Sequence, residues 1–130
     1  MYLKIIAVGR LGKDPKLTYL DSGDPLTSFG LAVSKKYKKN GQTVEEVTWL
    51  NVSIFGKQAE SVAQYLKKGQ KALVEGTLSP DKSTGRPRIY KGGDGEPGTS
   101  YEVRASSVVF LSDKQEESDG EEENAGDPGW

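Results

Sequence analysis

The hydrophobic pattern of this chain changes its period twice, and that change restricts the folds that the chain can adopt. Between residues 26 and 55 apolar residues alternate with small or polar ones, as half-buried strands require, and Asn40-Gly41 divides the stretch as a hairpin turn. Between residues 57 and 68 apolar residues recur at intervals of three and four, which predicts a helix of about three turns. Gly69 is the expected C-terminal cap of that helix, and Lys67 and Lys68 suit its negative end.

Shorter strand-like runs lie on both sides of this central region. Residues 3–8 and 16–20 precede it, and residues 71–78 and 101–111 follow it. Three main strands, one helix and two further strands are the order of the OB-fold, a five-stranded Greek-key barrel whose helix falls between the third and fourth strands. We therefore expect a mainly all-β OB-fold domain over residues 1–111. The fold alone does not determine a function.

The charge is distributed unevenly between this domain and the end of the chain. Residues 1–112 carry 17 Lys or Arg and 11 Asp or Glu, a net charge of +6, whereas residues 113–130 carry one Lys and eight acids, a net charge of −7. A basic body suggests a polyanionic partner, although a solvated surface with a solubilising tail would give the same totals. Residues 112–130 have almost no apolar side chains and are expected to form a disordered acidic tail.

The absence of two residue types limits the chemistry that is available. With no His, the commonest acid–base residue and metal ligand is missing, and with no Cys there is no thiolate site. We expect a protein that is not an enzyme, with no catalytic residues, no cofactor and no metal. No run approaches the roughly 18 apolar residues of a membrane helix, and a cytoplasmic, nucleoid-associated location is expected.

Four exposed aromatic residues are candidates for stacking on nucleobases. Proteins hold single strands with aromatic faces for the bases and a positive groove for the backbone. Tyr37 stands within Lys-Lys-Tyr-Lys-Lys, Trp49 faces away from the apolar residues 50, 52 and 54, Phe55 ends the same strand, and Tyr90 lies among basic residues. Each could instead be an ordinary loop or core residue. The strand patterns assign the other aromatic residues considered to packing: Phe29, Tyr101 and Phe110.

Several longer motifs resemble one known family. They are Val-Gly-Arg-Leu-Gly-Lys-Asp-Pro at 8–15, Ala-Val-Ser-Lys-Lys-Tyr at 32–37, Thr-Trp-Leu-Asn-Val-Ser-Ile-Phe-Gly-Lys-Gln-Ala-Glu at 48–60, Tyr-Leu-Lys-Lys-Gly-Gln-Lys-Ala-Leu-Val-Glu-Gly-Thr-Leu at 65–78 and Tyr-Glu-Val at 101–103. These motifs are similar to those of the bacterial single-stranded DNA-binding protein family, with residues 92–100 as a local insertion. The resemblance implies single-stranded DNA as the partner, a homotetramer, and roles in DNA replication, recombination and repair.

The resemblance also implies roles for individual residues. The family stacks bases on aromatics at the positions of Tyr37, Trp49 and Phe55. A family tryptophan after the fourth strand aligns with Ser83 here, which leaves Tyr90 as the candidate replacement. Lys57, Lys68 and Lys82 match basic positions along the family's DNA path. The full set expected to contact phosphates is Arg10, Lys13, Lys35, Lys36, Lys38, Lys39, Lys57, Lys68, Lys82, Arg86 and Arg88.

The end of the chain departs from the family pattern. Family tails end in acidic residues and a short hydrophobic tip with Pro-Phe that docks on replication and repair proteins. Here Asp127 and Pro128 are followed by Gly129 and Trp130. The resemblance implies partner docking through Asp127, Pro128 and Trp130, and the alternative is a tail that only solubilises the protein.

Three other functions of an OB-fold remain open on the sequence. An interaction module would prefer a protein or structured RNA. A nuclease would need a metal held by carboxylates such as Asp21, Asp24 or Glu75, which show no ligand spacing. An oligosaccharide-binding domain would also use aromatics, but the Lys-rich run at 35–39 suits a neutral sugar poorly.

Overall fold

A computed structural model describes residues 1–111 of the chain. The predicted acidic tail and the docking residues Asp127, Pro128 and Trp130 lie outside this part. Within it, the chain forms eight strands and one helix, and none of these elements is a helix long and apolar enough to cross a membrane. In chain order they are β1 (Ile5–Leu11), β2 (Lys16–Tyr19), β3 (Pro25–Lys39), β4 (Gln42–Phe55), α1 (Lys57–Tyr65), β5 (Lys71–Leu78), β6 (Ile89–Lys91), β7 (Pro97–Thr99) and β8 (Tyr101–Phe110).

Five of the strands close into a barrel. Around the barrel the order is β1, β5, β8, β4 and β3, and β3 pairs back to β1 at Arg10↔Ala32 and Leu11↔Leu31. The β4–β8 pairing is parallel and the other pairings around the ring are antiparallel. The helix lies between the third and fourth barrel strands, so the predicted OB-fold is confirmed.

Two further pieces of sheet are attached to this barrel. The short strand β2 extends the sheet at the edge of β3, as its run of residues suggested. Strands β6 and β7 pair only with each other and form a small hairpin in the connection between β5 and β8. This hairpin includes most of residues 92–100, the stretch that stands as a local insertion in the resemblance to the family.

The barrel core follows the alternation of the strands. On β4, Leu50, Val52 and Ile54 are all buried, which confirms the face that the sequence assigned to the core. Two glycines allow strands to approach closely. A Cβ atom at Gly9 would collide with the backbone oxygen of Ala32, and one at Gly76 would collide with that of Arg104. Larger residues at either position would force the barrel wall apart.

The helix ends earlier than the sequence predicted. It stops at Tyr65, because Leu66 adopts an extended backbone (φ −88°, ψ 142°) and directs its buried side chain into the core. Gly69 is therefore not the helix cap. Its positive φ of 87° instead serves a tight turn in which the Gln70 amide donates to the Lys67 carbonyl at 3.1 Å. The last helical turn holds no basic residue, so the predicted role of Lys67 and Lys68 at the helix dipole is wrong.

Candidate nucleic-acid interface

Trp49 lies on the outer face of the barrel, which is the face of the strands that points away from the core. Its side chain is 55% exposed, so the predicted exposure is confirmed. The indole lies against backbone: a Cβ atom at Gly12 would stand 2.6 Å from Cζ3, and one at Gly30 would stand 3.8 Å from it. The two glycines support one side of the ring and leave the rest of the aromatic surface open to a ligand.

Trp49 shares an open groove with two tyrosines. The groove has a volume of about 720 Å³ and is lined by residues that include Trp49, Asn51, Pro87, Tyr90, Ser100 and Tyr101. Tyr90 is 50% exposed and Tyr101 is 57% exposed. The prediction that Tyr101 packs in the core is therefore wrong. Val103 and Ala105 on the same strand do face the core, but Tyr101 is the first residue of β8 and remains exposed.

The ring of Tyr90 is held against the β7 backbone. A Cβ atom at Gly98 would stand 3.1 Å from Cε1 of the tyrosine, and the Tyr90 hydroxyl donates to the Thr99 carbonyl at 3.5 Å. Ser83, which aligns with the family tryptophan, is engaged elsewhere: its amide and hydroxyl donate to Asp81 at 2.9 and 2.7 Å. Both bonds hold the pKa of the Asp81 carboxyl below its usual value, and the bond from the Ser83 hydroxyl has the larger effect.

Phe55 lies on the same outer face of β4 as Trp49, six residues further along. It is 36% exposed, and the Arg104 guanidinium stacks on its ring at 4.5 Å from the centroid. Arg104 comes from β8, where it pairs with Ser53. Sequence reasoning missed this arginine. Its position between buried Val103 and Ala105 was the available signal, because a basic residue there must point outward.

Tyr37 does not join this group of aromatics. In the β3–β4 hairpin it pairs with Val44. Val44 and Trp49 are five residues apart on β4, and side chains an odd number of residues apart on a strand point to opposite faces, so Tyr37 and Val44 lie on the face opposite to that of Trp49. Tyr37 is 36% exposed and its hydroxyl donates to Glu46 at 3.1 Å. That bond requires the neutral phenol and raises the pKa of Tyr37 above its usual value. The three predicted stacking residues on β3 and β4 are thus exposed but do not form one continuous platform.

The lysine-rich arm of the β3–β4 hairpin is partly compensated by acids on the facing strand. Lys35 and Lys36 pair across the ladder with Glu46 and Glu45, whereas Lys38 and Lys39 pair with Thr43 and Gln42. Residues 34–47 carry four Lys and two Glu, so the arm has a net charge of +2. The tip of the hairpin is its most basic part.

A second basic region lies beside Trp49 and its supporting residue Gly12. The Arg10 guanidinium donates to the Gly69 carbonyl at 2.9 Å, and the Lys68 amide donates to Asp14 at 2.8 Å. These bonds join the end of β1 to the turn before β5 and bring Arg10, Lys13 and Lys68 to one end of the barrel. All three side chains are exposed.

The remaining predicted phosphate contacts also lie on the surface. Lys57 opens α1 two residues after Phe55. Lys82, Arg86 and Arg88 belong to the segment between β5 and β6, in which the Gly85 amide donates to the Asp81 carbonyl at 2.8 Å. This segment leads directly to Tyr90, so it places positive charge beside the groove.

The carboxylates named for a nuclease do not meet. Asp21 and Asp24 lie in the turn before β3, and Glu75 is on β5, where Lys4 forms an ion pair with it at 3.5 Å. Over residues 1–111 no group of three or more acidic side chains is arranged to hold a metal ion.

A family model and two similar curated relatives point to the same protein family. The model of the single-strand binding protein family matches residues 2–111. A single-stranded DNA-binding protein of Neisseria meningitidis serogroup A is 36% identical over 118 residues, which are 90% of this chain and 64% of that relative. One from Bacillus cereus is 43% identical over 111 residues, 85% of this chain and 61% of the relative. The chain thus spans a little under two thirds of these relatives.

Two other matches differ in coverage. Single-stranded DNA-binding protein 3 of Listeria innocua is 38% identical over 124 residues, 95% of this chain and 72% of the relative. Among solved structures, the small single-stranded DNA-binding protein of Streptomyces coelicolor superposes with a TM-score of 0.71 at 23% identity, covering 85% of this chain and 96% of that one. The structural match supports the same fold.

Proposed function

The chain belongs to the single-strand binding protein family, and on this basis we propose that it binds single-stranded DNA stoichiometrically, without catalysing a reaction on it. The relatives that match most of the chain are named single-stranded DNA-binding proteins. The members of this family bind DNA and are not enzymes, and the described residues offer no acidic metal cluster that would favour a nuclease.

The observation that carries the proposal is the setting of Trp49. Its indole is exposed on the outer face of the barrel, is supported by Gly12 and Gly30, and has Tyr90 and Tyr101 as neighbours in one groove. An exposed, supported ring is suited to stack on an unpaired base, an interaction worth roughly 1–3 kcal/mol for each base. Every base has a π-face, so the binding would be largely independent of sequence.

The phosphates would be bound by the three basic regions described above. These are the tip of the β3–β4 hairpin, the end of β1 with the turn before β5, and the segment before β6. Neutralising phosphates releases counterions, so the affinity should fall as salt rises, with a slope in log–log form of about −0.7 for each phosphate contacted in a single strand.

A fluorescence titration tests the proposal. The chain has two tryptophans, so a Trp130→Phe variant leaves Trp49 as the single indole. Adding oligothymidylate at low salt should quench Trp49, and rising salt should reverse the quenching. If the Trp130→Phe variant shows neither quenching nor a salt-reversible complex in a gel-shift assay, the proposal is contradicted. Binding to structured RNA alone would favour the alternative that the domain is an interaction module.

The wider role follows from the family. We infer that the protein covers and protects single-stranded DNA in the cytoplasm during replication, recombination and repair, with residues 1–111 as the DNA-binding domain. The tail over residues 112–130 would recruit replication and repair proteins, with Asp127, Pro128 and Trp130 as the docking residues. Loss of partner capture on Trp130→Ala, with DNA affinity unchanged, would support this division.

We also propose a homotetramer as the working form. Apolar side chains on the outer faces of β1 and β8 remain exposed in the single chain, including Ile6 at 63% and Val109 at 46%. These two strands flank β5 in the barrel, and exposed apolar groups on the same side of a sheet are typical of a surface that is covered by another subunit. Light scattering measures the mass of the assembly in solution. The monomer mass is 14.1 kDa, so a homotetramer should give four times that mass, and a monomer mass would contradict this proposal.

A further inference from the structure

Tyr101 occupies a special position at the start of β8. It is paired in parallel with Leu50, so its backbone runs alongside the residue next to Trp49. Leu50 is buried whereas Tyr101 is 57% exposed, because β8 begins at this residue and the ring lies at the open margin of the barrel. A large aromatic side chain with no partner ring among the described residues is thereby presented to the groove.

Tyr90 also lines the groove, and its ring contacts the β7 backbone. Tyr90 packs over Gly98, and its hydroxyl is bound to the Thr99 carbonyl at 3.5 Å. Tyr90 is therefore restrained before any ligand arrives, which limits the conformational entropy that binding must remove. Trp49, with its own glycine support, is the third aromatic surface of the same groove.

Polar groups at the groove are also held in place. The Asn51 amide donates to Oε2 of Glu102 at 3.1 Å, and the Ser100 hydroxyl donates to the same oxygen. One carboxylate thus orients two side chains that line the groove and has its charge partly satisfied by them. Asn51 keeps its carbonyl oxygen and a second N–H for other partners, the complement that the edge of a base can use.

We propose that Tyr101 is a base-contacting residue, and that with Trp49 and Tyr90 it forms a cleft for unpaired nucleobases of the bound strand. The inference rests on the proposed function, because it names where bases lie within a single-stranded DNA complex. Tyr101 supplies a stacking surface, Tyr90 and Trp49 supply the others, and Glu102 acts as a positioning residue that aims Asn51 and Ser100 at the base edges. The strand would pass from this cleft along the outer face of β4 toward Phe55 and Arg104.

The experiment measures the affinity of the 130-residue chain for oligothymidylate at one fixed salt concentration and then across a salt series. The variants are Tyr101→Ala, Tyr101→Phe and, as the matched control, Tyr65→Ala. Tyr65 is also an exposed tyrosine, at 60%, but it lies on α1 near Phe110 and does not line the groove. Thermal melting of each variant reports any loss of fold.

We expect Tyr101→Ala to weaken binding by about 5- to 150-fold, the range for one lost stack. Tyr101→Phe keeps the ring and should bind like the parent, as should Tyr65→Ala. The salt slope should not change in any of them, because no phosphate contact is removed.

Three results would overturn the inference. Tyr101→Ala could bind as tightly as the parent, or Tyr101→Phe could be as weak as Tyr101→Ala, which would assign the role to the hydroxyl. A loss of affinity accompanied by a smaller salt slope or a lower melting temperature would assign it to displaced basic residues or to the fold. If instead the parent chain itself fails to bind oligothymidylate, it is the proposed function that fails.

Discussion

At the scale of single residues, the setting of Trp49 depends on what its neighbours lack. The indole rests on Gly12, where any side chain would begin 2.6 Å from a ring carbon, and near Gly30, where the same distance is 3.8 Å. A contact of 3.8 Å is ordinary van der Waals packing, whereas 2.6 Å is a collision. The two glycines therefore differ in whether they can accept a methyl group.

Gly12→Ala should displace the Trp49 ring and weaken DNA binding. We expect a loss of several-fold, with a limit of about 150-fold if the stack is lost entirely, and little change in stability because an exposed ring can swing aside. Gly30→Ala is the matched control and should bind like the parent. The fluorescence titration with oligothymidylate measures both, and equal affinities for the two variants would contradict this role of Gly12.

The sequence correctly predicted that Trp49 is exposed but wrongly predicted that Tyr101 is buried, and both predictions came from the same rule. Alternation along a strand tells which side chains share a face, and Leu50, Val52 and Ile54 fixed the core face of β4. The same rule put Tyr101 with Val103 on the core face of β8. Where a strand leaves the barrel, however, there is no core left to face, and that boundary is set by the three-dimensional structure.

At the scale of elements, a single buried hydroxyl ties the helix to the barrel. Thr27 on β3 has no exposed surface, and its hydroxyl donates to the Ala59 carbonyl of α1 at 2.6 Å. Thr27→Val keeps the shape and removes the bond, so we expect a loss of about 1 kcal/mol in the free energy of unfolding. Urea unfolding measures it. Thr18→Val, whose hydroxyl is exposed and 3.4 Å from its acceptor, should show almost none of this loss.

Removing negative charge from the β3–β4 hairpin should strengthen DNA binding. Glu45 and Glu46 face Lys36 and Lys35, so replacing both acids by Gln raises the net charge of the arm from +2 to +4. We expect about a 3- to 10-fold gain in DNA affinity at low salt. Gln at position 46 still accepts the Tyr37 hydroxyl, so the hairpin should keep its shape.

Its control is a pair of changes with the same charge effect elsewhere. Asp21→Asn with Asp24→Asn alters the turn between β2 and β3, outside the hairpin. If this pair raises the affinity as much as the Glu pair does, the gain reflects only the overall charge of the protein and the hairpin is not part of the DNA path. High salt should remove the gain in either case.

Element order was readable from the sequence, but the end of the helix was not. The change from a period of two to intervals of three and four located α1 and its neighbouring strands. Leu66 continues that spacing and is buried as the pattern requires, yet its backbone is extended. A buried position can be filled from a helix or from the residue just after it, and periodicity does not distinguish the two.

At the scale of the whole molecule, the opposed charges of body and tail predict competition. Residues 1–112 carry +6 and residues 113–130 carry −7, so the tail can compete with DNA for the basic surface. Removing residues 113–130 should tighten binding to oligothymidylate several-fold at low salt and have little effect at high salt. Unchanged affinity at low salt would show that the tail does not compete.

The closure of the barrel also has a consequence for how the chain reaches this structure. The β3–β4 hairpin joins neighbouring residues through Asn40 and Gly41, whose positive φ angles of 52° and 77° suit a tight turn. The first strand must instead find β5, with Ile5 opposite Gly76, 71 positions later (76 − 5). Such distant pairings slow folding, since a long loop must be ordered before its contacts form.

We therefore expect the hairpin to form early and the ring to close late. A nascent chain that has emerged only as far as residue 70 can hold β1 by two register pairs with β3 and no others, and its core faces would stay uncovered until β5 and β8 arrive. Within residues 1–111 the last strand to leave the ribosome is β8, which lies between β5 and β4, so we expect closure of the barrel on the timescale of milliseconds to seconds that is typical of folds with many distant pairings.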